Sequence, residues 1–176
     1  MRRALIVIDM QNDFVSGSLG TKEAQNIVDR VVKKVEQYMQ QGLDVLFTRD
    51  THEENYLETM EGKKLPVPHC IRGSEGWEII RELKPFVQTV FDKPTFGSIE
   101  LVEYVRNRGY DELELAGLCT DICVVSNALL LKANFPEMDI EVDKECCAGV
   151  TPESHEAALT TMEMCQITVV SQEDSK

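Results

Sequence analysis

Lys and Arg are scarce in this chain, and long apolar runs are missing. Its 176 residues carry 18 basic against 31 acidic side chains, a formal net charge of −13. A surface of that sign repels phosphate backbones and anionic lipid, so no nucleic-acid or membrane partner is expected. No apolar run approaches the roughly 18 residues of a membrane span, and the run at 4–8 is too short for an export signal. We therefore expect a cytoplasmic protein.

Histidine and closely paired cysteines are also few. The chain has three histidines and six cysteines, and no two cysteines stand in a Cys-x-x-Cys spacing. Cys119 and Cys123 form a Cys-x-x-x-Cys pair, whereas Cys146 and Cys147 are adjacent. Without an export signal, these thiols are expected to be free and in a reducing compartment.

What the chain does contain is a regular alternation of apolar runs and amphipathic segments. Strands are predicted at residues 4–8, 45–48, 87–92, 112–118, 140–142 and 167–170. Helices are predicted from Thr21 to Gly42 and at 75–83, 98–108, 121–134 and 152–164, with a long polar loop at 53–73 and a frayed end at 172–174. Six strands separated by helices predict one α/β domain over residues 1–176. Its architecture would be a three-layer doubly wound sheet of about six mainly parallel strands.

Four of the predicted strands end at residues that can do chemistry. The run at 4–8 precedes Asp9, 45–48 precedes Asp50 and His52, 87–91 precedes Lys93, and 113–118 opens into Cys119 and Cys123. In an open parallel sheet, catalytic groups gather beyond the carboxyl ends of the strands. The sequence therefore predicts one crevice that holds a carboxylate, an ammonium, a thiol and a metal site.

Cys123 is the candidate nucleophile. In the first turn of the predicted helix 121–134, unpaired backbone N–H groups and the helix dipole favour a thiolate. A neighbouring ammonium, for which Lys93 is the candidate, would lower the thiol pKa further, and Asp9 could take the proton. The alternative is that Cys123 is a small buried hydrophobe, the commoner fate of a free cysteine.

Asp50, His52 and His69 form a candidate metal site. Residues two apart in an extended chain project to the same side, so Asp50 and His52 can reach one ion while Thr51 faces away. His69 would add a second imidazole from the end of the long loop, leaving positions free for water or substrate. The alternative is a polar loop with two solvated histidines. The third histidine, His155, is interpreted as structural.

The same residues fall in a series of recognisable motifs. They are Val7-Ile-Asp9-Met-Gln-Asn-Asp13-Phe14, Asp50-Thr-His52, Pro68-His69-Cys-Ile-Arg-Gly-Ser-Glu-Gly76, Lys93 and Gly117-Leu-Cys-Thr-Asp-Ile-Cys123-Val. In this order, over residues 4–125, the chain resembles the nicotinamidase and isochorismatase-like cysteine hydrolases. Each motif alone is a weak signal, whereas the ordered set is highly specific.

The resemblance implies a catalytic triad of Asp9, Lys93 and Cys123. Asp9 would act as general base toward the thiol and then as general acid toward the leaving amine, with Lys93 beside both. Backbone N–H groups of Cys119 and Cys123 would stabilise the oxyanion. In the family the peptide bond before the position of Cys119 is typically cis, and Phe14 would supply an aromatic contact to the substrate.

The resemblance also implies one divalent metal ion on Asp50, His52 and His69, with zinc placed ahead of iron and manganese. In nicotinamidase-like members this ion ligates a ring nitrogen of the substrate. The chain departs from the family at Pro66, where many nicotinamidases have a tryptophan as one wall of the pocket. Trp77 could replace that wall, although its place in a predicted helix favours a core or surface role.

The implied activity is hydrolysis of nicotinamide or a related small carboxamide to the carboxylate and ammonia through a cysteine thioester. It would serve NAD salvage, and the enzyme would be a homo-oligomer. Two alternatives stay open. One is a cysteine hydrolase of another small amide, such as a maleamate-like or ureido acid or an isochorismatase-like substrate. The other is a non-catalytic relative that uses Cys123 as an oxidisable thiol.

Overall fold

Six parallel strands form one sheet in the order β3-β2-β1-β4-β5-β6. The computed structural model describes residues 2–171, so the end predicted to fray at 172–174 lies outside the described residues. The strands are β1 (Arg3–Ile8), β2 (Asp44–Asp50), β3 (Thr89–Lys93), β4 (Glu112–Leu118), β5 (Asp139–Ala148) and β6 (Thr168–Val170). The predicted α/β class with a doubly wound parallel sheet is confirmed.

Helices cover both faces of the sheet, which explains why the strands are almost continuously apolar. They are α1 (Asn12–Val15), α2 (Lys22–Gln40), α3 (Met60–Lys64), α4 (Ile99–Arg108), α5 (Val125–Asn134) and α6 (Pro152–Met164). Along β1, Leu5 and Val7 pack on the side of α2, whereas Ala4, Ile6 and Ile8 pack on the side of α4, α5 and α6. This alternation follows from the two-residue period of a strand.

The ends of the long helices follow local sequence signals. Thr21 Oγ1 accepts from Ala24 N at 3.0 Å at the start of α2, and Ser98 Oγ accepts from Leu101 N at 3.1 Å at the start of α4. Gly42 and Gly109 follow the two helices with φ of +70° and +65°, which glycine adopts without steric cost. Among residues 2–171, no helix is both long and apolar enough to span a membrane.

The helix predicted at 75–83 is wrong. This segment folds as successive turns followed by a 3₁₀ turn at Lys84–Phe86. Ile79, Ile80 and Leu83 are buried at spacings that imitate a helix, but the backbone bonds across to the start of the chain, with Ile80 N donating to Met10 O at 2.9 Å. Tertiary pairing has therefore overridden the local apolar pattern.

Three other segments differ in detail from their predictions. The helix predicted at 121–134 begins with a π-helical turn at Thr120–Val124 before α5. The long loop contains a 3₁₀ turn at Tyr56–Glu58 and the short helix α3. Strand β5 runs well past 140–142, because the buried Asp143 side chain is paired with Lys34 at 2.7 Å and so can stay inside the sheet.

Candidate active site

Asp9, Lys93 and Cys123 meet at the carboxyl edge of the sheet. Lys93 Nζ lies 2.6 Å from Asp9 Oδ2 and 3.3 Å from Cys123 Sγ. Asp9 directly follows β1, Lys93 ends β3, and Cys123 lies in the π-helical turn after β4. Asp9 has φ of +47°, a backbone conformation that is costly for a non-glycine residue and that is concentrated at functional sites. The three predicted catalytic residues are thus in direct contact.

Further hydrogen bonds fix the acid and the ammonium. Thr48 Oγ1 donates to Asp9 Oδ1 at 2.7 Å, which leaves Oδ2 for Lys93. Lys93 Nζ also donates to Thr95 O at 3.2 Å and lies 3.5 Å from Asp50 Oδ1. The side chains of Asp9 and Lys93 are fully buried, so solvent does not screen their interaction.

Burial dominates the protonation of this cluster. It raises the pKa of the Cys123 thiol well above the usual value, and the charge of Asp9 adds to this while Lys93 opposes it. Burial likewise raises the pKa of Asp9 against the effect of Lys93. For Lys93, burial lowers the pKa, but the charges of Asp9, Cys123 and Asp50 outweigh it and raise the pKa overall. The direction of this pKa shift favours the protonated thiol, opposite to the thiolate expected from a helix N-terminus.

A four-residue cluster lies next to the triad. Asp50, His52 and His69 come together as predicted, and Glu61 of α3 joins them, with one potential ligand atom from each residue within 4.8 Å of the others. His52 Nε2 and His69 Nε2 lie 2.9 and 3.5 Å from Asp50 Oδ2. Glu61 Oε1 lies 3.6 and 3.7 Å from the same two nitrogens. Sequence reasoning missed Glu61 because the long loop is rich in acids and nothing in its pattern separates one from another.

The donor set of this cluster fits a divalent metal ion. His69 Nδ1 lies 2.8 Å from Val67 O, and because a carbonyl only accepts, Nδ1 must donate. In the neutral ring Nε2 then carries the lone pair, which faces the two carboxylates. Burial and the charge of Asp50 raise the pKa of Glu61, a crowding of negative charge that a cation would relieve. Two imidazoles and two carboxylates suit zinc, iron or manganese.

Gln11 and Asp13, which lie between Asp9 and Phe14, support the four-residue cluster through hydrogen bonds to the backbone. Gln11 is fully buried, and its side chain accepts from Asp50 N and donates to Asp50 O, both at 2.8 Å. Asp13 Oδ2 accepts from Cys70 N at 2.8 Å, next to His69. Both residues belong to the motif quoted from the sequence, but reasoning from the sequence gave them no role. Their bonds are to backbone atoms far along the chain, which only the fold reveals.

A cavity of about 540 Å³ lies next to Cys123 and the four-residue cluster. It is lined by Phe14, Leu19, Asp50, Met60, Glu61, Lys64, Leu65, His69, Thr95, Phe96, Cys119, Ile122 and Cys123. Phe14, the expected aromatic contact to the substrate, lines the cavity, and its ring centroid lies 5.6 Å from that of His69. The Leu118–Cys119 peptide bond is cis, as the family resemblance implied.

Trp77 does not replace the missing tryptophan of the pocket. Its Nε1 donates to Thr51 Oγ1 at 2.8 Å, and the Arg49 guanidinium stacks 3.7 Å above its ring. Thr51, predicted from strand geometry to face away from the ion, is not part of the four-residue cluster. Its bond to Trp77 holds the indole ring outside that cluster. Pro66 is exposed, and the apolar walls come instead from Leu65 and Phe96. Phe96 was not singled out from the sequence.

A carboxylate, an ammonium and a thiol in contact, with the thiol lining a cavity, are the groups that an α/β hydrolase with a cysteine nucleophile needs. The chain belongs to the isochorismatase family, since residues 3–174 match the model of the Isochorismatase domain.

Known proteins similar to this chain agree with that assignment. An uncharacterized isochorismatase family protein of Bacillus subtilis is 32% identical, with 91% of this chain and 93% of the relative covered. The nicotinamidase/pyrazinamidase of Mycobacterium tuberculosis is 27% identical, with 96% and 98% covered. The crystal structure of the nicotinamidase/pyrazinamidase from Bacillus subtilis superimposes with a TM-score of 0.87 at 30% identity, covering 97% of this chain and all of the other.

Proposed function

We propose that this protein is an amidohydrolase that converts nicotinamide or a related small carboxamide to the carboxylate and ammonia through a thioester on Cys123. The observation that carries the proposal is the contact of Lys93 with both Asp9 and Cys123. Cys123 lines a pocket that is also lined by three members of the four-residue cluster, Asp50, Glu61 and His69. Curated relatives named as nicotinamidases support the same substrate class.

The chemistry begins with a proton transfer inside the triad. Lys93 Nζ contacts both Asp9 and Cys123, which places the carboxylate beside the thiol, and Asp9 takes the thiol proton as sulfur attacks the amide carbonyl carbon. Lys93, beside both groups, stabilises the negative charge as it passes from Asp9 to sulfur. Backbone N–H groups of Cys119 and Cys123 stabilise the oxyanion. Asp9 returns the proton to the leaving nitrogen, so that ammonia departs and a thioester remains. Water activated by Asp9 then hydrolyses the thioester and frees the thiol.

Asp50, His52, His69 and Glu61 would hold one divalent ion, zinc ahead of iron and manganese. When bound, the ion supplies a Lewis acid for a ring nitrogen of a heteroaromatic carboxamide. We further propose a cytoplasmic homo-oligomer in NAD salvage, without nucleic-acid or membrane partners. The formal net charge of −13 supports the last point.

The test is ammonia release from a panel of carboxamides by the purified protein, with elemental analysis of its metal content. We expect turnover of nicotinamide, loss of activity on chelation, and recovery with a divalent ion. Failure to release ammonia from any carboxamide, with zinc, iron and manganese each supplied, would contradict the proposal.

A ureido or maleamate-like acid is a second candidate substrate. Lys64 lines the mouth of the pocket and could pair with a substrate carboxylate, and Pro66 leaves the pocket less aromatic than a pyridine slot. Turnover of such acids that survives chelation would favour this candidate over nicotinamide. A thiol-sensing role has less support. Redox-sensor cysteines are accessible and of low pKa, whereas Cys123 is 4% exposed and its pKa is raised.

A further inference from the structure

Asn127 is a buried amide that none of the proposed chemistry uses. It lies in α5, one turn after Cys123, and is 1% exposed. Its Nδ2 donates to Cys123 O at 2.8 Å and to Phe96 O at 3.0 Å, and its Oδ1 accepts from Ser98 N at 2.9 Å. A single side chain thus bridges the nucleophile's own backbone and a separate segment of the chain.

Only a carboxamide satisfies these three partners at once. Cys123 O and Phe96 O can only accept, while Ser98 N can only donate, so the site needs two donors and one acceptor. The partners also fix which end of the amide is nitrogen. Aspartate would set an oxygen against two carbonyls, and alanine would leave three backbone groups without this partner. A buried group that loses its partner is costly to leave unsatisfied.

The segment that Asn127 contacts also supports the catalytic ammonium and the pocket wall. Thr95 O accepts from Lys93 Nζ at 3.2 Å, and Thr95 and Phe96 both line the cavity. Ser98, the last residue of the bridge, caps α4 through its hydroxyl. Residues 95–98 therefore connect Lys93, the cavity wall and α4, and Asn127 ties all of them to the turn that carries Cys123.

We infer that Asn127 is a positioning residue that holds the Cys123 turn and the 95–98 segment at a fixed separation. In this way it sets both the attack geometry of the thiol and the position of the Phe96 wall. The inference rests on the proposed amidohydrolase function. It divides into two parts with different kinetic consequences. The bond to Cys123 O acts on the chemical step. The bonds to Phe96 O and Ser98 N act on substrate binding through the Phe96 wall, because Lys93 keeps its contacts with Asp9 and Asp50 if the 95–98 segment shifts.

Kinetics of two variants separate these parts. Asn127→Ala should lower kcat at least about tenfold and raise KM severalfold, since misplacing a reacting group by about 1 Å costs on the order of 100-fold. In Asn127→Thr, the helical hydroxyl bonds back to the carbonyl four residues earlier, which is that of Cys123. We expect kcat to recover to within about threefold of the unaltered protein while KM stays raised. A purely structural residue would lower activity in step with Tm, without this split.

Asn134 offers a matched control on the same helix. Its Nδ2 donates to Leu130 O at 2.9 Å, the same local bond, and its Oδ1 accepts from Arg106 on the surface. Asn134→Ala should leave kcat and KM within about twofold of the unaltered protein. The inference is overturned if folded Asn127→Ala, with normal metal content, behaves as this control does. If Asn127→Ala does not fold, a normal KM in Asn127→Thr overturns it.

Hydrogen exchange tests the bridge without any substrate. Asn127→Ala, or Asn127→Thr if the alanine variant does not fold, should speed amide exchange in peptides covering 94–101, and the alanine variant also in 119–126. Asn134→Ala should change neither. Unchanged exchange at 94–101 overturns the inference whether or not the protein turns over a carboxamide. Absence of turnover by the unaltered protein contradicts only the proposed function, so the two failures are distinguishable.

Discussion

At the scale of single residues, burial and not the helix terminus controls the reactivity of Cys123. Burial raises the thiol pKa, so in the proposed mechanism the nucleophile forms only as Asp9 removes the proton. Sequence reasoning placed Cys123, Lys93 and Asp9 in one crevice because each follows a predicted strand. It could not weigh desolvation against the charge of Lys93, because the depth of a side chain depends on the whole fold.

Removing the thiol should stop the reaction and spare the fold. We expect Cys123→Ala to lose all measurable ammonia release, with circular dichroism and metal content unchanged, because the proposed thioester forms on the Cys123 sulfur. Cys165→Ala, at an exposed position, serves as the control and should keep full activity. Residual turnover by Cys123→Ala would show that the nucleophile is misassigned.

We expect Glu61 to contribute to metal binding, although the sequence predicted only Asp50, His52 and His69 as ligands. Glu61→Gln should weaken affinity for zinc or manganese by about tenfold or more, measured by titration with a competing chelator. Glu58→Gln, an exposed acid three residues earlier in the same loop, should bind metal normally. Equal affinity in the two variants would exclude Glu61 as a ligand.

At the scale of elements, strands were predictable and the segments that close the site were not. The largely apolar composition of runs such as 4–8 and 113–118 predicts buried parallel strands, which the structure shows as β1 and β4. The segment 75–83 has helical spacing, but Ile80 bonds to Met10 across the chain. Asn127 and Trp77 carry no sequence signal for their partners, because those partners lie on other elements.

The position of Trp77 leads to a contrast between two aromatic residues. Trp77→Phe should leave KM for the carboxamide within about twofold, because the ring stacks on Arg49 outside the cavity. It should still cost about 1 kcal/mol of unfolding free energy through loss of the bond to Thr51. Phe96→Ala should instead raise KM severalfold without comparable loss of stability, because Phe96 is 41% exposed. The reverse pattern would place Trp77 in the pocket.

At the scale of the whole molecule, a charged network lies far from the reaction, between α2 and the first halves of the strands. Lys34 pairs with Glu114 and Asp143, and Arg3 pairs with Glu112, Glu114 and Glu141. Burial lowers the pKa of Lys34, but Glu114 and Asp143 outweigh it and raise the pKa overall. The ammonium therefore stabilises the fold fully below its ordinary pKa of 10.5, and this contribution is lost as pH rises through the folded-state pKa.

Lys34→Met should show that dependence directly. Urea unfolding near neutral pH should give a loss of about 3 kcal/mol, because two carboxylates lose a buried partner. The difference from the unaltered protein should shrink above about pH 10.5. With the fold intact, kcat should be normal, since Lys34 is distant from the cavity. A difference that does not change with pH would argue that Lys34 acts through packing alone.

The pairing of β1 with β4 determines when the active site can assemble during synthesis of the chain. It joins residues 3–8 to 112–117, which are 109 residues apart in the sequence. Asp9 directly follows β1, and Cys123 lies in the π-helical turn after β4. The first 93 residues carry Asp9, Lys93 and all four residues of the candidate metal site, but they do not contain Cys123. During synthesis the triad cannot assemble until β4 has left the ribosome and found β1. Turnover can consequently serve as a reporter of this pairing, because the thiol meets Asp9 and Lys93 only after β1 and β4 have come together.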